Sequence, residues 1–285
     1  MKKIILLIHI TYLTAVGLGG ASLQVDAVSL AHNGTGIAGD VNISINPVSI
    51  LNVSNNKLSF SYNNWFNEVK GSMIKHEFNN QYILLNTYEL NDIELWGDKP
   101  DSNPIGTFGT HYISLAYGRG FRFDNLKFGA QSNAIHARLY TESTLALLFT
   151  ISFKYNISSS FSIGSVVKNF GFINSDLEKN KIPFTNGIGC AYKINKLNST
   201  FMLDYLNDDL SGSATKIALS TNYRFLNFIL AISSVDNKSL YFDEKIFISG
   251  GFEFKYRNWT FSYGILQQDN ESLGVPQSFQ ISWYY

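Results

Sequence analysis

A two-residue alternation of apolar and polar side chains, repeated along most of the chain, is the feature that most constrains its fold. The segment Thr150–Tyr155 reads Thr-Ile-Ser-Phe-Lys-Tyr, and Ser278–Tyr285 reads Ser-Phe-Gln-Ile-Ser-Trp-Tyr-Tyr. Because successive side chains of a β-strand point to opposite faces, this period predicts strands with one apolar and one polar face. The segments run about 8–13 residues, and a tilted strand crosses a bilayer in roughly 9–11 residues.

The alternation predicts fourteen strands, separated by turn-forming residues. They lie near 57–65, 69–78, 81–89, 107–118, 123–136, 143–155, 160–171, 184–194, 199–207, 215–225, 228–236, 245–257, 259–267 and 277–285. Asp92–Trp96 is assigned to a loop or to its neighbouring strand, because bacterial outer-membrane barrels keep an even number of strands. We therefore predict an all-β fold, a transmembrane antiparallel β-barrel of about 14 strands over residues 57–285.

Composition separates a membrane barrel from a soluble β-sandwich, which also alternates. Charged residues make up 15% of the chain, against about 25% in an ordinary soluble domain. A sandwich would also have shorter strands and more charge on its polar face. The low charge therefore favours a membrane barrel whose apolar face contacts outer-membrane lipid.

The chain ends on an alternating strand that is rich in aromatic residues. This end resembles the signal read by the bacterial barrel-assembly machinery, which is therefore an expected partner. The residues of this strand expected to face lipid and to support assembly are Phe279, Ile281, Trp283 and Tyr285.

The N-terminus has the pattern of a secretory signal peptide. Lys2 and Lys3 form a short positive region, Ile4–Leu18 is mostly apolar, and Gly19–Ala21 supplies small residues for cleavage. We assign residues 1–21 to the signal peptide, with a second candidate cleavage site after Ala27. An uncleaved anchor helix is the alternative. After the signal peptide no apolar run reaches the 18 residues of a membrane-spanning helix. An exported chain that crosses the membrane with strands instead is expected in the bacterial outer membrane.

Motifs that carry catalysis or bind cofactors are absent from the sequence, including the nucleophile elbow, the zinc-protease helix and the P-loop. The single cysteine, Cys190, excludes an intrachain disulfide and a multi-cysteine zinc site. Lys+Arg and Asp+Glu are both 22, which excludes a nucleic-acid binder driven by overall charge. We therefore predict no catalytic, cofactor-binding or metal-binding residues and no enzyme activity. His136 and Arg138 share a strand face and are assigned to the polar lumen.

Residues 22–56 do not alternate and precede the first strand. Glycine allows tight turns. Proline biases the preceding Asn to an extended conformation, and the Asn side chain can hydrogen-bond to local backbone. Irregular backbone at membrane depth must be shielded by protein or water, which a barrel interior provides. We predict an N-terminal plug, or hatch, inside the barrel, with a periplasmic tail as the alternative. Its motif residues are Gly34, Gly36, Ala38, Asp40, Asn46 and Pro47.

The order of these motifs resembles one family of outer-membrane proteins. Gly34–Ala38, Asp40 and Asn46-Pro47 precede Phe60–Trp65, which reads Phe-Ser-Tyr-Asn-Asn-Trp. Later matches are Gly106–Phe108, Tyr112, Tyr117-Gly118, Lys168–Gly171, Ile182–Phe184, Gly187–Gly189, Tyr192 and Leu273–Val275. Together they resemble the PorV/PorQ group, closer to PorQ, which is itself similar to the FadL type of fatty-acid transporter barrel. Thr35 and Val48 stand where the family has Gly and Ala.

The resemblance implies two functions. The first is a component of the type IX secretion system, whose partners would be other secretion-system subunits or the C-terminal domains of secreted cargo. It would bind that cargo or hold the cell-surface attachment complex. The alternative is a FadL-like channel for hydrophobic small molecules. The longest connections, Leu90–Gly106 and about Phe172–Pro183, are polar, which favours the secretion role slightly over lipid capture.

Overall fold

A computed structural model of the chain describes residues 18–65, 69–96, 103–175, 182–209, 211–236, 246–267 and 274–285. Residues 1–17 of the expected signal peptide lie outside the described residues. The strands are β1 (Lys57–Trp65), β2 (Val69–Phe78), β3 (Gln81–Leu95), β4 (Gly106–Phe123), β5 (Leu126–Leu139), β6 (Glu142–Asn156), β7 (Phe161–Ser175), β8 (Thr185–Ile194), β9 (Ser199–Asp208), β10 (Gly212–Tyr223), β11 (Leu226–Asp236), β12 (Ile246–Tyr256), β13 (Trp259–Gln267) and β14 (Gln277–Tyr284).

Every strand pairs with its neighbours in sequence, and β14 pairs antiparallel with β1 to close the barrel. In the closing pair Phe60 lies opposite Ile281. The prediction of an all-β, 14-stranded antiparallel barrel is confirmed. Closure gives each strand a hydrogen-bonding neighbour on both sides, so that no sheet edge is left open.

Most strand boundaries shift by a few residues from the sequence expectation, and the two largest shifts are at the ends of β3 and β4. Asp92–Leu95 continues β3 after a bulge at Leu90–Ile93, within which Asp92 has φ of +59°. β4 extends to Phe123, so the turn to β5 is Asp124–Asn125 rather than the residues after 118. The extra residues of both strands keep pairing with their neighbours, which the local sequence pattern could not show.

The outer face of the barrel carries the apolar half of the alternation. On β14, Phe279 and Trp283 are exposed, whereas Ser278 and Gln280 are buried on the inner face. Apolar residues outside and polar residues inside are the arrangement of a barrel whose outer face contacts lipid.

The two ends of the barrel differ in their connections. At one end the strands are joined by residues 79–80, 124–125, 157–160, 195–198, 224–225 and 257–258, and β1 begins and β14 ends there. We call this the short-turn end. The opposite end, the long-loop end, has the longer connections 96–105, 176–184, 237–245 and 268–276. At the short-turn end Asn79 and Asn80 both have positive φ, as a two-residue hairpin of type I′ requires.

Residues 22–56, the lumen segment, lie inside the barrel. They contain a five-residue helix, α1 (Ala27–Ala31), and a 3-10 helix at Pro47–Asn52. The segment touches the inner face on opposite sides, because Val25 O accepts from Asn63 on β1 while Ala38 O accepts from Ser162 on β7. None of the described helices has the length and apolarity needed to span a membrane.

His136 and Arg138 lie on the outer face, which corrects their assignment to the lumen. The odd-numbered residues of β5 point inward, since Lys127 donates to Asn52 of the lumen segment. His136 instead lies beside His111 on the outside, with ring centroids 6.3 Å apart. The assignment failed because β5 has small and polar residues on both faces, so its alternation did not distinguish inside from outside.

Candidate functional site in the barrel interior

A fully buried carboxylate attaches α1 to the barrel wall. Asp26 is the N-cap of α1 and accepts from the Ser29 backbone N–H at 2.8 Å. Its Oδ2 lies 3.2 Å from Nζ of Lys75 on β2. Asn42 Nδ2 and Ser44 Oγ donate to the same carboxylate at 2.7 and 2.9 Å. A buried charge is tolerated when it is paired and hydrogen-bonded in this way, so this network joins two parts of the lumen segment to β2.

The environment of Asp26 keeps it ionised. Burial opposes ionisation, but the Lys75 ammonium and the hydrogen bonds from Ser29, Asn42 and Ser44 outweigh it and lower the pKa of Asp26 to about 2. This value is below the ordinary 3.8. The interaction therefore stabilises the fold above about pH 4, and its contribution is lost as the pH falls through about 2.

The Gly34–Ala38 turn attaches the lumen segment to the opposite side of the wall. The backbone N–H groups of Gly36 and Ile37 donate to Oδ2 of Asp204 on β9 at 2.6 and 3.0 Å. Gly34 and Gly36 have φ of +67° and +133°, a region that other residues rarely adopt. The glycines thus allow the turn that points two amides at one buried carboxylate, while Ala38 is fully buried beneath it.

Asn46 and Pro47 begin the 3-10 helix and fold it back on the earlier turn. The Asn46 side chain accepts from the Val48 N–H at 2.9 Å and donates to the Ile37 carbonyl. Pro47 occupies the first helical position, where its missing N–H has no cost. Both residues are buried. Their contacts are structural, linking two turns of the lumen segment.

Glycines on the inner face let the lumen segment approach the wall. A side chain at any of three such positions would overlap backbone atoms of the lumen segment. The contacts are Gly129 with Pro47 and Val48, Gly164 with Ile37 and Ala38, and Gly264 with Ala27 and Ala31. These glycines occupy inward positions of alternating strands, which is the sequence signal that could have located the contacts.

A row of cations lines the inner face near the short-turn end. Arg122 on β4 lies directly opposite Lys127 on β5, and Lys127 lies directly opposite Lys154 on β6. We call these three residues the basic row. Asp40 forms ion pairs with Lys154 and, at 3.1 Å, with Lys193 of β8. Burial opposes ionisation of Asp40, but Lys154, Lys193 and Lys127 lower its pKa below the ordinary value.

Near the long-loop end the inner face of β1–β6 and β13 is apolar, in contrast to the polar lumen expected from the alternation. Buried side chains from β1–β6 and β13 form one cluster there, which we call the apolar cluster. It comprises Trp65, Val69, Tyr88, Leu90, Ile93, Tyr112, Ile135, Ala137, Ala146, Leu148 and Leu266. Phe108, Ile173, Ile182 and Phe247 pack against it from the edge.

The start of the described chain covers the apolar cluster. Leu18 is 1% exposed within it, and Ala21 and Leu23 pack against it. Gly20 lies on the ring of Tyr112, where a side chain would collide. Leu18–Ala21 belongs to the expected signal peptide, so cleavage after Ala21 would remove part of this cover.

The structure brings the expected motif residues together only in part. Gly36, Ala38, Asn46 and Pro47 form one buried unit together with the half-buried Gly34, while Asp40 turns away from it towards the basic row. The expected assembly residues of the C-terminal strand lie on the outer face and make no part of this interior unit; they are Phe279, Ile281, Trp283 and Tyr285. Among the described residues, no group of three or more His, Cys, Asp or Glu side chains is placed to hold a metal ion.

Neither the apolar cluster nor the basic row was identified from the sequence. The cluster has a signal, because Leu145–Phe149 reads Leu-Ala-Leu-Leu-Phe and is apolar on both faces. For the row, the signal is a cation near the same end of three successive strands, at Arg122, Lys127 and Lys154.

Comparison with known proteins supports the fold. No protein-family model and no curated protein matches the chain. The chain is similar to a solved structure described as the CymD monoaromatic hydrocarbon channel, with a TM-score of 0.66 and 9% identity over 92% of this chain and 97% of that one. It is also similar to the toluene transporters TbuX of Ralstonia pickettii and TodX of Pseudomonas putida. Their TM-scores are 0.63 and 0.62, each at 11% identity over 91% of this chain and 98% of theirs.

These likenesses show that the chain shares the barrel fold of these channels. At such low identity they bear on the fold alone, and they leave the PorV/PorQ resemblance as a prediction from sequence motifs.

Proposed function

We propose that the protein is a non-enzymatic outer-membrane channel that binds and admits small hydrophobic molecules. The observation that carries this proposal is the apolar cluster. Water-filled barrels have a polar interior, whereas this interior has a patch of eleven buried apolar side chains. Concave sites of this composition bind ligands by removing apolar surface from water.

The expected orientation puts the apolar cluster where such a ligand would enter. Outer-membrane barrels have short periplasmic turns and longer extracellular loops. The long-loop end is then extracellular, and the cluster lies just inside that mouth. The apolar outer face and the similarity to outer-membrane channels support this location.

In the mature protein, part of the apolar cluster would be uncovered. Leu18 and Gly20 cover Tyr112 and its neighbours in the full chain. Cleavage after Ala21 would remove both residues and leave Tyr112 and its neighbours for a ligand to cover, while Leu23 and Leu30 would still pack against the rest of the cluster. The lumen segment stays attached below through Asp26 and Asp204, so binding need not disturb the barrel.

Three similar structures described as monoaromatic hydrocarbon or toluene channels agree with this proposal. Shared fold is by itself a weak basis for shared function. The apolar cluster is an independent property of this chain's own side chains, and it points to the same ligand class.

A secretion-system role is the second candidate, and it depends on the PorV/PorQ motifs. The motif residues Gly36, Ala38, Asn46 and Pro47 are buried inside the barrel. They explain why the lumen segment folds as it does, and they offer no surface for a cargo domain. Contacts with cargo or with other subunits would have to come from the loops.

The test is uptake of labelled toluene by bacterial cells that carry or lack the protein. We expect Leu148→Gln, in the apolar cluster, to reduce the protein-dependent uptake by about tenfold, because it places an amide among apolar groups. Leu206→Gln is the matched control, since Leu206 is inward and buried but lies outside the cluster.

Two outcomes decide between the candidates. Equal uptake with and without the protein would contradict the channel. In that case, recovery of secreted proteins that share a C-terminal β-rich domain, by pull-down on the protein, would support the secretion role instead.

A further inference from the structure

The basic row breaks a rule of strand pairing. Like charges directly opposite each other on one sheet face are destabilising, and here Arg122, Lys127 and Lys154 follow one another across three strands. Side chains so placed have Cβ atoms about 5 Å apart. Lys127 and Lys154 are also buried, at 7% and 3% exposure. An arrangement with this cost points to a function.

The lumen segment compensates only part of this charge. Arg122 donates to the Leu51 carbonyl at 3.1 Å, and Lys127 donates to Asn52 Oδ1 at 3.0 Å. Both acceptors are neutral. In the described part of the chain, Asp40 is the one carboxylate that pairs with Lys154 or Lys193. Four cations therefore share one anion, which leaves an excess of three positive charges.

Asp40 is the exchangeable member of this group. Its side chain is 25% exposed and Lys193 is 49% exposed, so water at the short-turn mouth reaches this ion pair. Asp40 also sits in an irregular turn, whereas the cations are fixed on strands. A cavity of about 460 Å³ lined by Leu51, Arg119 and Arg122 opens at the same end.

We propose that the basic row and Lys193 form a binding site for a soluble anion that carries a phosphate or carboxylate group. Asp40 occupies this site in the free protein and is displaced when the anion binds. Arg provides a planar fork for oxygen pairs and Lys provides compact charges, which together suit such groups. The site faces the lumen, so it is open to solutes and not to the headgroups of the surrounding bilayer.

The experiment is calorimetric titration of the purified full-length mature protein with pyrophosphate and, separately, with citrate. We expect saturable binding of at least one of them, and the two arms distinguish phosphate from carboxylate. Asp40→Asn should tighten binding by about tenfold, because the internal competitor for the cations is removed. Lys127→Gln with Lys154→Gln should abolish it.

Two further variants make the result interpretable. Lys193 is exposed, so the Lys193→Gln variant should fold normally. We expect this variant to bind the anion about tenfold more weakly. Lys255→Gln removes an exposed cation at the same end, from β12 outside the row, and should leave binding unchanged. Displacement of Asp40 should also speed hydrogen exchange of the Gly39–Asn42 amides when the anion is added.

Absence of binding by both the native protein and Asp40→Asn would overturn the proposal. Equal loss in Lys193→Gln and Lys255→Gln would also overturn it, because binding would then reflect net charge. Unchanged affinity in Asp40→Asn would contradict the displacement of Asp40.

Discussion

The two halves of the barrel interior are built from opposite chemistry. Towards the long-loop end, strands β1–β6 and β13 present tyrosine, leucine and isoleucine to the lumen, and Leu23 and Leu30 of the lumen segment pack against them. Towards the short-turn end, the wall presents lysine, arginine and aspartate, and the lumen segment meets them with Asp26, Asp40 and backbone amides. A single, largely apolar exterior surrounds both halves.

This difference shows how one barrel can hold its interior in place and still bind an apolar solute. Ion pairs and hydrogen bonds are directional, so they fix the lumen segment at particular points of the wall. Apolar contacts are not directional, so a ligand can replace one apolar cover by another. The charged half therefore anchors the lumen segment, and the apolar half can exchange its apolar cover for a ligand.

The largest expected effect concerns the anchor at Asp26. Lys75→Met leaves a buried carboxylate without its cation, and removing one partner of a buried pair typically costs about 3–5 kcal/mol. We expect a lower free energy of unfolding and faster hydrogen exchange in α1. Denaturant titration and exchange mass spectrometry measure both.

Two controls sharpen that prediction. Combining Lys75→Met with Asp26→Asn should recover part of the loss, because both charges are then gone. Lys255→Met, at an exposed site, should change little. Exchange in α1 equal to that of the native protein would show that Asp26 does not anchor the lumen segment.

Placing a charge in the apolar half should have the next largest effect on stability. Leu266→Lys buries an ammonium among apolar side chains of the apolar cluster, and we expect it to lower the free energy of unfolding by about 2–4 kcal/mol. Ser262→Lys is the comparison, because Ser262 is also inward on β13 but lies opposite Glu253. Equal unfolding midpoints for the two variants would erase the distinction between the halves.

Acidification should weaken the charged half alone. The pKa of Asp26 is lowered from 3.8 to about 2, so its contribution of about 2 kcal/mol should disappear as the pH falls from about 4 to 2. Unfolding measured at pH 5 and pH 2 should show this loss in the native protein and a smaller one in Asp26→Asn. The same pH dependence in both proteins would assign the effect to other carboxylates.

The smallest expected effect is at the motif residue Asn46. Asn46→Ala removes the cap of the 3-10 helix and the hydrogen bond to the Ile37 carbonyl, and we expect it to cost about 1–2 kcal/mol. Asn55→Ala, at an exposed position, is the control. If Asn46→Ala changed toluene uptake with no change in unfolding, Asn46 would act in transport and not in folding.

The wall could be read from the sequence because its signal is local. Alternation places each strand, and neighbouring strands pair in sequence order, so Phe279 and Gln280 were assigned to opposite faces correctly. The bulge at Leu90–Ile93 was missed because the pairing that reveals it belongs to another strand.

The interior could not be read in the same way, because its contacts join distant residues. Asp26 and Lys75 are 49 positions apart, and Gly36 and Asp204 are 168 apart. No local pattern selects these partners. The motif at Gly34–Pro47 predicted a compact segment, yet the residues that hold it, such as Gly129 and Lys75, looked like ordinary wall positions.

The central claim is that the apolar half binds hydrocarbon, and heavy-atom quenching of Trp65 tests it most directly. Trp65 lies in the apolar cluster, while Trp259 and Trp283 lie on the outer face near the short-turn end. The variant Trp96→Phe/Trp259→Phe/Trp283→Phe retains Trp65 alone, and Trp65→Phe/Trp96→Phe/Trp259→Phe retains Trp283 alone.

Bromobenzene is titrated into each mature protein while its tryptophan fluorescence is recorded. Our account predicts saturable quenching of Trp65 that excess toluene reverses, and a weak, linear decrease for Trp283 from bromobenzene dissolved in the surrounding detergent. Linear quenching of both tryptophans, insensitive to toluene, would contradict a hydrocarbon site in the barrel interior.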